Sequence, residues 1–129
     1  MPSMQAVVMS RTGGPEVLVV RSLPLPELPS PRHVRVSLHA AGVNPVDTKL
    51  RANGTYYPDR LPAILGCDGA GVVEAVGDKA TRFQSGDKVY FCSGGIGGEP
   101  GNYATYNTVH EDYLARMPAN LDFTAAAAV

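Results

Sequence analysis

The residues with chemical capacity gather between Ala40 and Gly71, in the run AAGVNPVDTKLRANGTYYPDRLPAILGCDGAG. It holds an Asn-Pro step (Asn44, Pro45), a tyrosine pair (Tyr56, Tyr57), and Cys67-Asp68 set between Gly66 and Gly69. A cysteine beside an aspartate suggests a metal first, since thiolate and carboxylate both ligate zinc. Zinc needs about three or four ligands, and a third would have to be Cys92 or His110, which no spacing supports. Neighbours in an extended segment also point to opposite sides, so Cys67 and Asp68 do not converge on one ion. The other reading makes Cys67 a small soft hydrophobe packed beside glycines, with a functional role for its thiol left open. Asp68 then reads as a turn residue bonding nearby backbone, and Gly66, Gly69 and Gly71 serve tight turning and close packing.

Two further features invite chemistry and are better explained without it. In HVRVSLHAAGV, Val34, Val36, Leu38 and Ala40 alternate with His33, Arg35, Ser37 and His39. Both histidines share a strand face with Arg35, which assigns them to solvent and not to a metal. The run SGGIGGEPG (Ser93–Gly101) lacks the spacing of a dinucleotide fingerprint and leads into a strand pattern where that motif requires a helix. It reads as a flexible loop between strands.

The elements that must position these residues follow from punctuation. Fourteen glycines and eleven prolines separate short β-branched runs over 129 residues, which suits one β-rich domain with many turns. Strands are expected at Gln5–Met9, Val17–Ser22, His33–Val43, Gly69–Gly77 and Gly86–Phe91, with one or two more between Asn102 and Pro118. The proline-rich Leu23–Pro31 is a connector or edge. Pro45–Ala52 is a short helix with Asn44 at the N-cap, Pro45 at the first helical position and Asp47 in the first turn. Asp122 caps a second helix that stops after about two turns without a C-terminal signal, so the chain reads as a piece of a longer protein.

A net charge of −1 with scattered basic residues gives no electrostatic reason to expect nucleic acid or an anionic membrane as partner. No apolar run approaches the ~18–20 residues that span a bilayer. Two cysteines form no disulfide framework, and with no signal-like start they point to free thiols in the cytoplasm.

Together GVNPVD, GCDGAGVV and GDKVY resemble the catalytic domain of the medium-chain dehydrogenase/reductase superfamily, in its quinone oxidoreductase (zeta-crystallin-like) branch. The likeness runs from Met4 to Val129 and includes GGPEVL, HAAGVNPVDTKLRANGTY, GVVEAVGDKATRFQSGDKV and MPANLDFTAAAAV. It implies a mainly β fold with short helices: a GroES-like, partly open β-barrel over residues 1–129. In the family a Rossmann domain that binds NADPH follows, and the full-length enzyme is a homo-oligomer. The implied activity is hydride transfer from nicotinamide to a small quinone or enone. Zinc alcohol dehydrogenases of the superfamily carry Cys where this chain has Asn44, His-Glu at Cys67-Asp68, and a hydroxyl residue at Val46. They also have a four-cysteine lobe that this sequence lacks, so no metal ligand is assigned here.

The resemblance makes Asn44 and Tyr56 the catalytic pocket donors and places Asn44, Lys49 and Tyr56 against the cofactor. Asn44 serves equally as a helix cap, and Tyr57 is an alternative owner of the tyrosine role. Lys49 stands where many relatives have Tyr and would face a phosphate or solvent. Loss of zinc has a physical rationale. Reducing an alkyl carbonyl leaves an alkoxide about as basic as hydroxide, whereas a quinone leaves a phenolate with a parent pKa of ~10. The difference is several kcal/mol at ~1.36 per unit, within reach of neutral hydrogen-bond donors. Two other classes stay open: a zinc-dependent alcohol dehydrogenase-like domain, and a non-enzymatic GroES-like binding module.

Overall fold

A computed structural model describes residues 2–129. The chain opens with an antiparallel pair, β1 (Ser3–Met9) and β2 (Leu18–Pro24), joined through a 3-10 turn at Pro15–Val17. Next come β3 (His33–Ala41), helix α1 (Pro45–Asn53), β4 (Asp68–Val76), β5 (Lys88–Cys92), β6 (Tyr106–His110), β7 (Leu114–Arg116) and helix α2 (Phe123–Ala127). β3 to β7 form one antiparallel sheet in the order β6-β3-β4-β5-β7. Among the described residues no strand of one sheet pairs with a strand of the other. The isolated bridges Ala6–Ala104 and Met9–Ala63 tie β1 to connecting segments, and β1 side chains pack against Tyr106 of β6, so the barrel is partly open, as the resemblance implies.

The alternation in β3 sets the main core. Val34 and Val36 are fully buried and pack with Val73, Val89, Phe91, Val109 and Leu114 from the neighbouring strands. A second cluster of Met9, Val17, Leu50 and Leu65 fastens α1 to β1 and to the segment before Cys67. The helix therefore has a fixed seat, which its own nine residues would not supply in water.

Three sequence expectations change. The polar face of β3 is not simply solvated. His33 is half-buried, bonded through Nδ1 to Ser30 Oγ at 2.7 Å and edge-on to His110 at 5.4 Å, because β6 pairs with β3 in register there. His39 is exposed but stacks on Phe123 of α2 at 4.3 Å. The Ser93–Gly101 run is a packed loop and not a loose one. Gly101 N–H donates to Ile64 O at 2.9 Å and Asn102 N–H to Gly66 O at 2.8 Å, laying backbone on backbone. Gly95 sits at φ +84°, where a Cβ would come within 2.5 Å of Gly66 O, so glycine is needed for this close approach. Finally, Asp68 is the first residue of β4 and bonds a distant side chain, where a local turn contact was expected.

Candidate active site

Asn44 lies at the N-terminus of α1 in extended conformation (φ −124°, ψ 158°), where the chain leaves β3 and turns into the helix. Asn44 and Asp47 form a capping box, in which Asn44 N–H donates to Asp47 Oδ2 at 2.9 Å. With the box closed by Asp47, the Asn44 side-chain amide reaches across to β4. Its Nδ2 donates to Asp68 Oδ2 at 2.7 Å, bridging residues 24 apart in sequence. A carboxylate has only acceptors, so the amide must present its NH2 end to Asp68. The same turn is tied to β4 through Gly42 N–H, which donates to Asp68 O at 3.1 Å.

Beneath this pair lies a polar cluster that the sequence reading did not single out. Asp47 is only 4% exposed, and Tyr103 Oη sits 2.8 Å from Asp47 Oδ2 and 3.1 Å from Gly42 O. Cys67 Sγ is 4.0 Å from Asp47 Oδ1. Burial, with Asp47 next in weight, pushes the Cys67 thiol up to about 11, so at neutral pH it is a thiol and not a nucleophilic thiolate. Burial and the hydrogen bond to Asp47 likewise push the Tyr103 phenol far above its ordinary range. Burial together with Asp68 raises the Cys92 thiol as well. The ring of Tyr103 lies against Gly66, at φ +102°, where a Cβ would come within 2.8 Å of Cδ1. Asp47 was legible as a first-turn acid, but nothing in the sequence marks Tyr103, 56 residues away, as its partner.

Two small cavities flank the cluster. One, of about 260 Å³, is lined by Leu18, Val43, Asp47, Thr48, Leu65 and Tyr103 among others. The other, of about 190 Å³, runs past Asp68, Tyr90, Cys92 and Tyr113 to Ala126 and Val129. Tyr56 is 70% exposed on the segment after α1, and its N–H donates to Ile96 O at 3.2 Å. Tyr57 is less exposed and carries Arg60 over its ring at 5.2 Å. Lys49 is exposed on α1. Asn44 is thus joined to Asp68, whereas Tyr56 is anchored through its backbone to the glycine-rich loop.

The donor set does not suit zinc. Cys67 contacts Asp47 and Asp68 is hydrogen-bonded by Asn44, so each side chain is engaged by a residue of the capping box. The Asn44 amide turns a donor toward Asp68, whereas a metal ligand must present a lone pair. Among the described residues, no group of three or more His, Cys, Asp or Glu side chains converges as a metal requires.

A five-stranded antiparallel sheet with a short helix between its β3 and β4, beside a two-stranded sheet, is the architecture of the GroES-like domains of the alcohol dehydrogenase class. The family model described as the alcohol dehydrogenase GroES-like domain matches residues 30–119, and the chain belongs to that family. It is 44% identical over 117 residues to the quinone oxidoreductase of Pseudomonas aeruginosa, covering 91% of this chain and 34% of that protein. It is 42% identical over 127 residues to the human quinone oxidoreductase, covering 98% of this chain and 37% of that protein. The solved quinone oxidoreductase of Coxiella burnetii superposes with a TM-score of 0.90 at 30% identity, over 98% of this chain and 40% of that one. The chain spans about a third of the length of the curated relatives it matches. No helix among the described residues is long and apolar enough to cross a membrane.

Proposed function

We propose that this chain is the substrate-side domain of an NADPH-dependent oxidoreductase that reduces quinones or enones without zinc. A Rossmann domain in the remaining length would hold the dinucleotide phosphates. The relatives named quinone oxidoreductase support the reaction class, and their greater length supports the second domain. The observation that carries the reading is the Asn44–Asp68 hydrogen bond, a neutral donor and its acceptor at two of the positions where, by resemblance, the zinc alcohol dehydrogenases carry Cys and His-Glu.

A bound nicotinamide supplies the hydride. Everything else falls to side chains. Hydride addition at a quinone leaves negative charge on oxygen, which is later protonated from solvent. The Asn44 amide nitrogen carries two hydrogens, and Asp68 takes one of them. The second is free to donate to the developing oxyanion, and the carboxylate behind the amide polarises it toward that role. The Tyr56 hydroxyl is the second donor. Its exposure in this domain suits a group that becomes useful only when another surface closes over it and excludes water. Lys49, exposed on the same helix, would meet cofactor phosphate. The two free thiols, Cys67 and Cys92, suit a reducing cytoplasmic compartment.

The test uses the full-length protein, stripped with a strong chelator and then assayed for NADPH oxidation by a benzoquinone alongside elemental analysis. We expect full turnover with zinc far below one per chain. One zinc per chain, with activity lost on its removal and restored on its return, overturns the zinc-free reading.

A further inference from the structure

We propose that Tyr103 is a positioning residue for this reduction, fixing the donor amide of Asn44 against Asp68 through Asp47. The inference rests on the reading of Asn44 as an oxyanion donor, and it adds a residue outside the motif that suggested that role. Asn44 can aim its amide only if the backbone entering α1 is held. Three contacts hold it: Asn44 N–H on Asp47 Oδ2 at 2.9 Å, Asp47 N–H on Asn44 O at 3.0 Å, and Gly42 N–H on Asp68 O at 3.1 Å. Tyr103 Oη is the one side-chain atom within hydrogen-bond reach of both ends of this turn, at Gly42 O and Asp47 Oδ2. Its single proton goes to the carboxylate, which is both the stronger acceptor and the shorter contact.

The Asp47 carboxylate is buried and uses the same oxygen, Oδ2, for Asn44 and for Tyr103. Without the hydroxyl, that oxygen keeps one protein donor on a carboxylate only 4% exposed. A buried carboxylate so depleted rotates to recover a partner, and that response loosens the capping box that carries Asn44. Tyr103 also fits the role sterically. Its ring is pressed on Gly66, so the hydroxyl has little freedom to leave Asp47. Among the described residues, the hydrogen bonds of Tyr103 Oη go to Gly42 O and Asp47 Oδ2 and not to Asn44 Nδ2, so the residue acts through Asp47.

The experiment is a double-mutant cycle in the full-length protein, with Tyr103→Phe, Asn44→Ala and the pair, read as NADPH-dependent benzoquinone reduction. Tyr103→Phe keeps the ring against Gly66 and removes only the hydroxyl. We expect it to lower kcat about fivefold, with the KM for NADPH unchanged within about twofold. In the Asn44→Ala background it should lower kcat no further, since its only route to the reaction is already gone. Asp47→Asn, which leaves one acceptor oxygen, should behave the same way if Tyr103→Phe folds poorly. Additive losses, or an unchanged kcat in Tyr103→Phe, overturn the inference. If the wild-type protein reduces no quinone, the functional reading fails, and a crystal structure of Tyr103→Phe still decides the positioning. Loss of the Asn44–Asp68 hydrogen bond in that structure supports it; an intact bond refutes it.

Discussion

Replacing Asn44 by Asp tests whether the amide stands in for a cation. The amide donates to Asp68 Oδ2 at 2.7 Å, so the variant sets two carboxylates at that separation. At an effective dielectric of about 20, two like charges at this distance repel by about 6 kcal/mol before anything relaxes. Two escapes limit the penalty. The pair can take up a proton, which at pH 8 costs about 5 kcal/mol for a group of ordinary pKa near 4 but only about 1.4 at pH 5. Both side chains are also partly open to water and can swing apart. We therefore expect Asn44→Asp to lose about 2–3 kcal/mol at pH 8 and about 1 kcal/mol at pH 5, including the lost hydrogen bond. The sign follows from linkage: the folded pair has a raised pKa, binds a proton that the unfolded chain releases, and so loses stability as pH rises above about 4. Urea denaturation at both pH values, with Asn44→Ala as the uncharged control, measures the difference. Added zinc should also restore part of the stability, because a cation now has acceptors on both sides. A pH profile for Asn44→Asp parallel to that of Asn44→Ala, with no response to zinc, refutes the reasoning.

In the full-length enzyme, Tyr56→Phe should lower quinone turnover about tenfold while NADPH affinity measured by calorimetry stays within about twofold. Equal losses in both would make Tyr56 a binding residue only. Glu111, fully buried, accepts from Arg32 Nε at 2.8 Å and from the N–H groups of Thr81 and Arg82 at 3.0 and 3.1 Å. Arg32 and these backbone donors hold its carboxyl below the usual range. Its contribution is therefore complete at neutral pH and lost as pH falls through the acid range. Glu111→Gln should lower the thermal midpoint by about 5 °C near pH 7 and by less in acid, read by calorimetry. Cys67, half-buried beside Asp47, should alkylate with iodoacetamide much more slowly at pH 8 than exposed Cys92. Its rate should keep climbing past pH 9, followed by mass spectrometry.

Local signals were enough to place most elements and to suggest the family. Val34 and Val36 alternate with polar neighbours, and β3 forms there with both valines buried. Asn44, Pro45 and Asp47 spell a helix start, and α1 begins at Pro45, where the structure adds a capping box between Asn44 and Asp47. Asp122 caps α2 through the N–H of Ala125 at 2.8 Å. Such features depend on dihedral preferences and on contacts two to four residues apart, which a linear sequence displays directly. The partners of the polar side chains are another matter. Asn44 turns to Asp68, Asp47 takes Tyr103, and Glu111 takes Arg32 from 79 residues away. Each pairing depends on the strand order β6-β3-β4-β5-β7 and on where α1 seats against Met9 and Leu65. Several partners satisfy a carboxylate equally well by chemistry, and burial, which decides how much each bond is worth, exists only once the sheets have met. For that reason Asp68 looked like a turn residue and Tyr103 like one more strand aromatic until packing brought each against its charge.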